Sequence, residues 1–385
     1  MESSVVSTRS GARGPATASG VLRTPVVWYA GAGGAMLAFI VFVLARWVTG
    51  PWFATVHPGA TSPPAWMEAF LIFWQAFAVF GTFGLLYAYL IRPWRRDREI
   101  TTDGLLVPVF FLIFFQDPLS SVFGDWFSWN AYLVNKGSWI YAIPGNLAYG
   151  HPGHEVVEPL LAGFLWVWIA FAGAWAGCFV LRRASRRWPD MRGWVMVLCV
   201  LFPAMIVFDF VLEGLVTLPT GLYAYQGGHL SIWPDAYDKY PLSEGIFAGA
   251  TLSALAALRY FRNDRGETIS ERGIGTLRIG LGRRTMLRFL ALVCTTQVLT
   301  FLTYNVTQGW FVGAHSGTWP ASAQRLSYLS VGLCGEGTAT RCPRDGVPLT
   351  SDNHASLRPG EAVVPLRHDS GGASTFAGRL LGSSR

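Results

Sequence analysis

The chain has 385 residues, of which 51% are hydrophobic and only 14% are charged. Soluble domains carry about 25% charged residues, so this composition indicates a membrane protein rather than an ordinary soluble domain. The net charge of +7 does not argue for a nucleic-acid partner, because the arginines lie in loops between apolar segments, where membrane topology needs them.

The first 25 residues are rich in Ser, Gly, Ala and Arg and predict a disordered cytosolic arm. The apolar run that follows is too long for the hydrophobic region of a signal peptide, and no clear cleavage site comes after it. We therefore expect no cleavable signal peptide.

Seven apolar runs of roughly 20 residues recur along the chain, as expected for membrane-spanning helices. The third is the weakest because Pro108 interrupts it. The sequence thus predicts an all-α, polytopic transmembrane helix bundle with long aromatic outer loops. The predicted spans are 26–48, 67–91, 104–121, 157–181, 193–217, 243–261 and 286–304.

Every second loop of this arrangement is basic, and all but two of the 30 basic residues are arginine. The two lysines, Lys136 and Lys239, lie in the intervening loops. The positive-inside rule then predicts a multi-pass cell-membrane protein with a cytosolic N-terminus and an extracytoplasmic C-terminus. Residues 26–304 form the predicted membrane domain, followed by an extracytoplasmic segment over 305–345 and a disordered tail over 346–385.

Two of the five cysteines, Cys334 and Cys342, lie eight residues apart in the segment that this orientation places outside the cell. An oxidising compartment favours a disulfide between them, and two free thiols are the alternative.

Four carboxylates lie inside or at the rim of predicted spans, with almost no fixed cation to pair with them: Asp117, Glu158, Asp209 and Glu213. By helix rise, Asp117 lies about 20 Å and Asp209 about 24 Å from the cytosolic end of its span. Burial at that depth favours protonated carboxyl groups, which suit acid/base chemistry. The structural alternatives are helix capping for Glu158, and also for Glu244, and bonds to neighbouring hydroxyls or indoles for the aspartates.

Aromatic residues with interleaved amides fill two predicted outer loops, a pattern that favours an apolar, oxygenated small-molecule ligand. An aromatic belt at the membrane interface is the alternative. The candidate binding residues are Trp126, Trp129, Asn130, Tyr132, Asn135, Trp139, Tyr223 and, from the second span, Gln75.

Other classes fit less well. The stretch HPGHEVVE at 151–158 does not have the spacing of a zinc-protease helix, so we predict no metal site. Neither lysine lies in a span to carry retinal, and no P-loop, nucleophile elbow or dinucleotide-binding motif occurs in its structural context.

The stretch DPLSSVFGDWFSWNAYLVNKGSWIYAIPG, followed by VEPLL, resembles the AveC-like spirocyclase family of actinobacterial membrane proteins. The similarity extends over about 28–345 and includes YLSVGLCGEGTATRCP. The residues that carry it are Asp117, Pro118, Asn130, Gly137, Ser138, Trp139, Pro144, Glu158 and Pro159.

This resemblance implies secondary metabolism: spiroketal formation on a polyketide, in the namesake with a dehydration, and without a cofactor. From the residues we predict an enzyme that uses Asp117 and Asp209 as its acid/base pair, with Glu158 and Glu213 tuning or orienting them. The substrate is expected to be a lipid-like hydroxy-ketone. The alternative is a non-catalytic lipid or small-molecule binder or a proton-coupled transporter, although no inverted repeat is visible.

Overall fold

The computed structural model describes residues 24–119, 126–145, 157–314 and 319–330. Within them the protein is mostly helical, as predicted. Almost all of the N-terminal arm, the HPGHE stretch, the proposed Cys334–Cys342 disulfide and the C-terminal tail lie outside the described residues.

Local sequence explains where several helices begin and end. Pro25 occupies the first turn of the first helix, where a missing N–H costs nothing. The Thr101 side chain accepts a hydrogen bond from the Gly104 N–H at the start of the third, and Gly221 ends the fifth with a left-handed backbone. The helices are α1 (Pro25–Val48), α2 (Ala65–Asp97), α3 (Thr102–Gln116), α4 (Ala162–Arg187), α5 (Gly193–Thr220), α6 (Leu242–Tyr260), α7 (Leu281–Phe311) and α8 (Ala321–Gln324).

Helices lie at all seven predicted positions, but the prediction of seven membrane spans is wrong. Among the described residues, only α1, α2, α4, α5 and α7 are long and apolar enough to cross a membrane. Helix α3 ends at Gln116 and is too short, and the 19 residues of α6 are diluted by Gly, Ser, Thr and charged residues. The chain is thus a multi-pass membrane protein, while its orientation stays a prediction from loop charge.

Three of the long helices contain π-helical turns, which lodge an extra residue in the helix and often accompany functional sites. Helix α5 has two, Val197–Leu201 and Phe210–Thr217. Others lie at Leu86–Ile91 in α2 and Phe301–Asn305 in α7. The second π-helical segment of α5, Phe210–Thr217, contains Glu213.

The aromatic loops fold together at one end of the bundle, here called the loop end. Strands β1 (Ser128–Trp129) and β2 (Tyr223–Ala224) pair antiparallel and join the two loops. Strands β3 (Ser231–Ile232) and β4 (Tyr240–Pro241) pair in the same way and lead into α6. Trp126, Phe127, Trp129, Tyr223 and Tyr225 form one buried aromatic cluster there.

Ion pairs hold the opposite end. Arg259 and Arg262 contact Asp103 at 2.6 and 3.0 Å, and the Arg288 guanidinium lies 2.7 Å from Glu271. The contacts with Asp103 tie the start of α3 to the end of α6, and the Arg288–Glu271 pair ties α7 to the loop between α6 and α7. These three arginines are therefore remote from the loop end.

Candidate active site

A cavity of about 250 Å³ lies inside the bundle, directly beneath the loop end. Side chains from α2, α4, α5, α6 and α7 form its walls, and the aromatic cluster of the loops covers it. Among the described lining residues there is no lysine, arginine or histidine, but there are four carboxyl groups. Those acidic residues are Asp117, Asp209, Glu213 and Glu244.

Three of these carboxyl groups form one acidic cluster: Asp209, Glu213 and Glu244. They are each at most 7% exposed, and a carboxyl oxygen from each lies within 4.8 Å of the others. Three carboxylates this close repel one another strongly, so the cluster holds at least one proton or a cation. Their oxygens suit a hard cation, and the absence of a metal stays a prediction.

Each member of the acidic cluster accepts a hydrogen bond from its own phenol. Tyr240 donates to Asp209 at 2.7 Å, and Tyr225 donates to Glu213 at 2.7 Å. Tyr304 donates to both oxygens of Glu244, at 2.9 and 3.0 Å. Burial, reinforced by the charge of Glu213, raises the pKa of Tyr225, so this phenol remains a donor. The phenols fix the carboxyl groups in place without adding positive charge.

Helix α6 brings Glu244 into this cluster, which corrects its interpretation as a helix cap. Its side chain makes no capping bond and instead contacts Tyr304 and Gln308 of α7. Sequence patterns did not connect these residues, because they lie about 60 positions apart. The only signal was an acidic residue in the first turn of a predicted span.

Asp117 occupies a different wall of the cavity, just after α3. The indole N–H of Trp129 donates to one of its oxygens at 2.5 Å, and that of Trp166 donates to the other at 2.9 Å. Burial raises the pKa of Asp117 to about 6, although the hydrogen bonds from Trp129 and Trp166 oppose that shift. Asp117 is therefore largely ionised at neutral pH and held by two neutral donors.

Glu158 lies behind Asp117 and is fully buried. No donor among the described residues reaches either of its carboxyl oxygens. Burial, followed by the charge of Asp117, raises the pKa of Glu158 well above its usual range. Neither Glu158 oxygen makes a hydrogen bond within the described part of the chain, but the two carboxyl groups are close enough to interact, and a protonated Glu158 is placed to donate to the Asp117 carboxylate. Because α4 begins only at Ala162, Glu158 is not the helix cap that the sequence left open.

The predicted site residues divide into two groups. Asp117, Asp209, Glu213, Trp129 and Tyr223 line the cavity, and Glu158 supports Asp117 from behind. The other predicted binding residues do not line it, because their polar atoms bond elsewhere or their rings pack within the loop end; these are Trp126, Asn130, Tyr132, Asn135, Trp139 and Gln75.

The two asparagines illustrate where these side chains lie. The Asn130 amide donates to the Gly221 carbonyl at 2.8 Å and accepts from the Tyr132 N–H at 3.0 Å. Asn135 accepts from the Val56 N–H at 2.9 Å and donates to the carbonyls of Ala131 and Leu133. Both amides therefore form hydrogen bonds with the loop backbone and do not face the cavity.

Replacing Asn135 by alanine is expected to lower the free energy of unfolding by about 2–4 kcal/mol, because buried backbone groups lose their partners. Thermal unfolding of the protein in lipid nanodiscs measures this. Lys136→Ala is the matched control, because the Lys136 ammonium makes one exposed contact to Thr55 and its loss should change stability by no more than about 0.5 kcal/mol. Equal effects of the two substitutions contradict the assignment.

A helical multi-pass membrane protein with a carboxylate-lined apolar cavity is the class that the fold and the site define. The model of the spirocyclase AveC-like family matches residues 94–329, and the chain belongs to that family. The matched region contains Asp117, Glu158 and the whole acidic cluster. No curated protein and no solved structure matches the chain.

Proposed function

We propose that this protein is an integral-membrane cyclase that closes a spiroketal from a hydroxy-ketone by acid/base catalysis, without a cofactor. The observation that carries the proposal is that Asp117 and the acidic cluster line one apolar cavity from different walls. General acid and base groups held in separate environments are what such a reaction needs. Membership of a family named for spirocyclases supports the same class of reaction.

In the proposed mechanism the acidic cluster, through Asp209, gives a proton to the hydroxyl of a hemiketal formed from the substrate. The carbon–oxygen bond breaks, water leaves, and an oxocarbenium ion remains. The second hydroxyl of the substrate attacks this carbon, and Asp117 accepts its proton as the new carbon–oxygen bond forms. One water is lost from the dihydroxy-ketone, and a proton returning from Asp117 to the cluster through water restores the starting state.

The cavity is suited to the cationic intermediate. The Asp117 carboxylate supplies a negative charge, and the rings of Phe127, Trp129 and Tyr223 provide aromatic faces. If Asp117 removes a proton from the neighbouring carbon instead, the same cation becomes an enol ether.

The full-length protein in nanodiscs, supplied with a synthetic alkyl dihydroxy-ketone, tests the proposal. We expect faster and more stereoselective spiroketal formation than in protein-free nanodiscs, measured by chiral chromatography with mass detection. Asp117→Asn should lower this rate by about 10²–10⁴-fold, because the amide cannot accept the proton.

The matched control is Asp190→Asn, since Asp190 is an exposed aspartate in the turn between α4 and α5. This variant should retain the wild-type rate and stereoselectivity. If the wild type turns over no faster than empty nanodiscs, the proposed function is wrong. If Asp117→Asn is as fast as the wild type, Asp117 is not the base.

The second candidate is a proton-coupled transporter. The four carboxyl groups in the cavity favour this candidate, since buried carboxyl groups also form proton relays. Uptake of the same hydroxy-ketone into proteoliposomes, driven by a pH gradient and without chemical change in the product, favours this function over cyclisation.

A further inference from the structure

The cavity has an opening on the side of the bundle, here called the mouth. Its rim includes six cavity-lining residues that are also partly exposed at the molecular surface. All are apolar or aromatic, and all belong to the candidate membrane spans α2, α4 and α5. The mouth residues are Trp74, Phe77, Trp168, Ile169, Ala172 and Leu212.

The mouth lies at hydrocarbon depth. At 1.5 Å of rise per residue, Trp168 is about 9 Å below the start of α4, and Phe77 is about 18 Å below the start of α2. Leu212 is about 12 Å from the end of α5 by the same measure. The hydrocarbon layer is roughly 30 Å thick, so a molecule that reaches this opening comes from the bilayer interior.

The loop end is closed over the same cavity. Phe127, Trp129, Leu222, Tyr223 and Tyr225 are all no more than 5% exposed. The four aromatic rings among them pack at centroid distances of 5.1–5.7 Å, and β1 pairs with β2 above the cavity. Within the described residues, the polar end of the cavity is therefore sealed from water by packed aromatic rings.

Two aromatic rings lie across the mouth. Phe77, which is 37% exposed, packs on Trp168 with ring centroids 4.8 Å apart. Trp168 lies so close to α2 that a Cβ on Gly81 would approach its ring to 2.3 Å. The absence of a side chain at Gly81 thus allows the indole to fit between the helices and form one side of the mouth.

The cavity volume indicates how a long substrate sits. About 250 Å³ lies below the roughly 300–1,000 Å³ of sites that enclose a whole drug-sized ligand. The carboxyl groups are inside, and the rim is apolar. An amphiphile with an oxygenated end and a long hydrocarbon chain matches this gradient, because its chain can remain in the mouth and the lipid.

From this arrangement we infer that the site takes its substrate laterally from the bilayer, through the mouth, as a long-chain oxygenated amphiphile. The lateral route stands on the geometry of the mouth alone. The identity of the oxygenated end as a hydroxy-ketone rests on the proposed function.

The test uses the full-length protein in nanodiscs and a long-chain hydroxy-ketone that carries a photoreactive diazirine in its alkyl chain. After illumination, mass spectrometry of peptides maps the labelled positions. We expect labels on α2, α4 and α5 around the mouth. An excess of unlabelled hydroxy-ketone should lower this labelling. Labels confined to residues 126–145 or 218–241 overturn the lateral route.

Ala172→Trp should fill the mouth and lower the labelling there by about tenfold, as expected for an overpacked contact. Val41→Trp is the matched control, because Val41 is 58% exposed on α1 and does not line the cavity. It should leave the labelling unchanged. If Ala172→Trp does not fold, the labelled positions in the wild type, measured with and without unlabelled hydroxy-ketone, still test the lateral route.

The possible failures are distinguishable, because labelling reports binding and not turnover. Mouth labelling without cyclisation keeps the lateral route and removes the proposed function. Cyclisation with labels only at the loop end keeps the proposed function and removes the lateral route. If excess phospholipid lowers the labelling as much as excess hydroxy-ketone does, the labelled surface binds ordinary annular lipid, and the inference is overturned.

Discussion

Asp209→Asn is expected to lower kcat for spiroketal closure by about 10²–10⁴-fold, the usual contribution of a general acid. Asparagine keeps the size of the side chain and an oxygen that can accept from Tyr240, which now lies 2.7 Å from Asp209. It has no acidic proton to give to the departing hydroxyl. Single-turnover measurements with the alkyl dihydroxy-ketone in nanodiscs test this effect separately from product release.

Tyr240→Phe provides the comparison within the same contact. It removes the phenol but leaves the Asp209 carboxyl group, so a smaller loss, near 10-fold, is expected for a positioning residue. Asp264→Asn, at an exposed position on the loop after α6, should change nothing. If Asp209→Asn is as active as Asp264→Asn, the acid lies elsewhere.

The double variant Asp209→Asn with Glu213→Gln sharpens the assignment. Because the two carboxyl groups belong to one cluster, their effects on kcat should be non-additive, with the double variant little slower than Asp209→Asn alone. Full additivity indicates that the two groups act in separate steps.

The pH dependence of the rate is expected to report on the contact between Asp117 and Glu158. Burial raises the pKa of Asp117 to about 6. As a base, Asp117 acts when ionised, so kcat should rise as the pH increases and level off above about 6. In Glu158→Leu the carboxylate loses a donor that stabilises its charge, so the midpoint should move upward by about one pH unit.

Glu158→Gln is the matched variant, because its amide can still donate to Asp117. The midpoint should then stay near 6, which separates the hydrogen bond from simple packing. A raised pKa also means that Glu158 favours the folded state below its unfolded pKa and that this stabilisation is lost as the pH rises. Wild type should therefore lose thermal stability toward alkaline pH more steeply than Glu158→Gln does.

A midpoint that is the same in wild type, Glu158→Gln and Glu158→Leu contradicts the contact with Asp117. A rate that falls, rather than rises, as the pH passes through about 6 reverses the roles and makes Asp117 the acid. The stability comparison is independent of turnover, so it remains informative if the substrate is a different hydroxy-ketone.

Individual residues show how far sequence patterns led. Asp117, Asp209 and Glu213 stood out because charged groups in apolar runs are costly, and all three line the cavity. Asn130 and Asn135 looked like ligand contacts because amides among aromatics suit a polar ligand, but backbone groups from distant segments use them. Local sequence does not reveal such long-range partners.

The sequence by itself determined the helical membrane character, the approximate position of each long helix, the anomalous carboxylates and the spirocyclase resemblance. These follow from composition, periodicity and local motifs, which act over a few turns of chain. Tertiary structure decided which carboxyl groups meet, since Glu244 and Tyr304 join Asp209 only when α6 and α7 pack together. It also decided where the cavity opens, because that depends on side-chain burial between segments far apart in the chain. The number of helices that can span a membrane depended on where each helix ends in the structure.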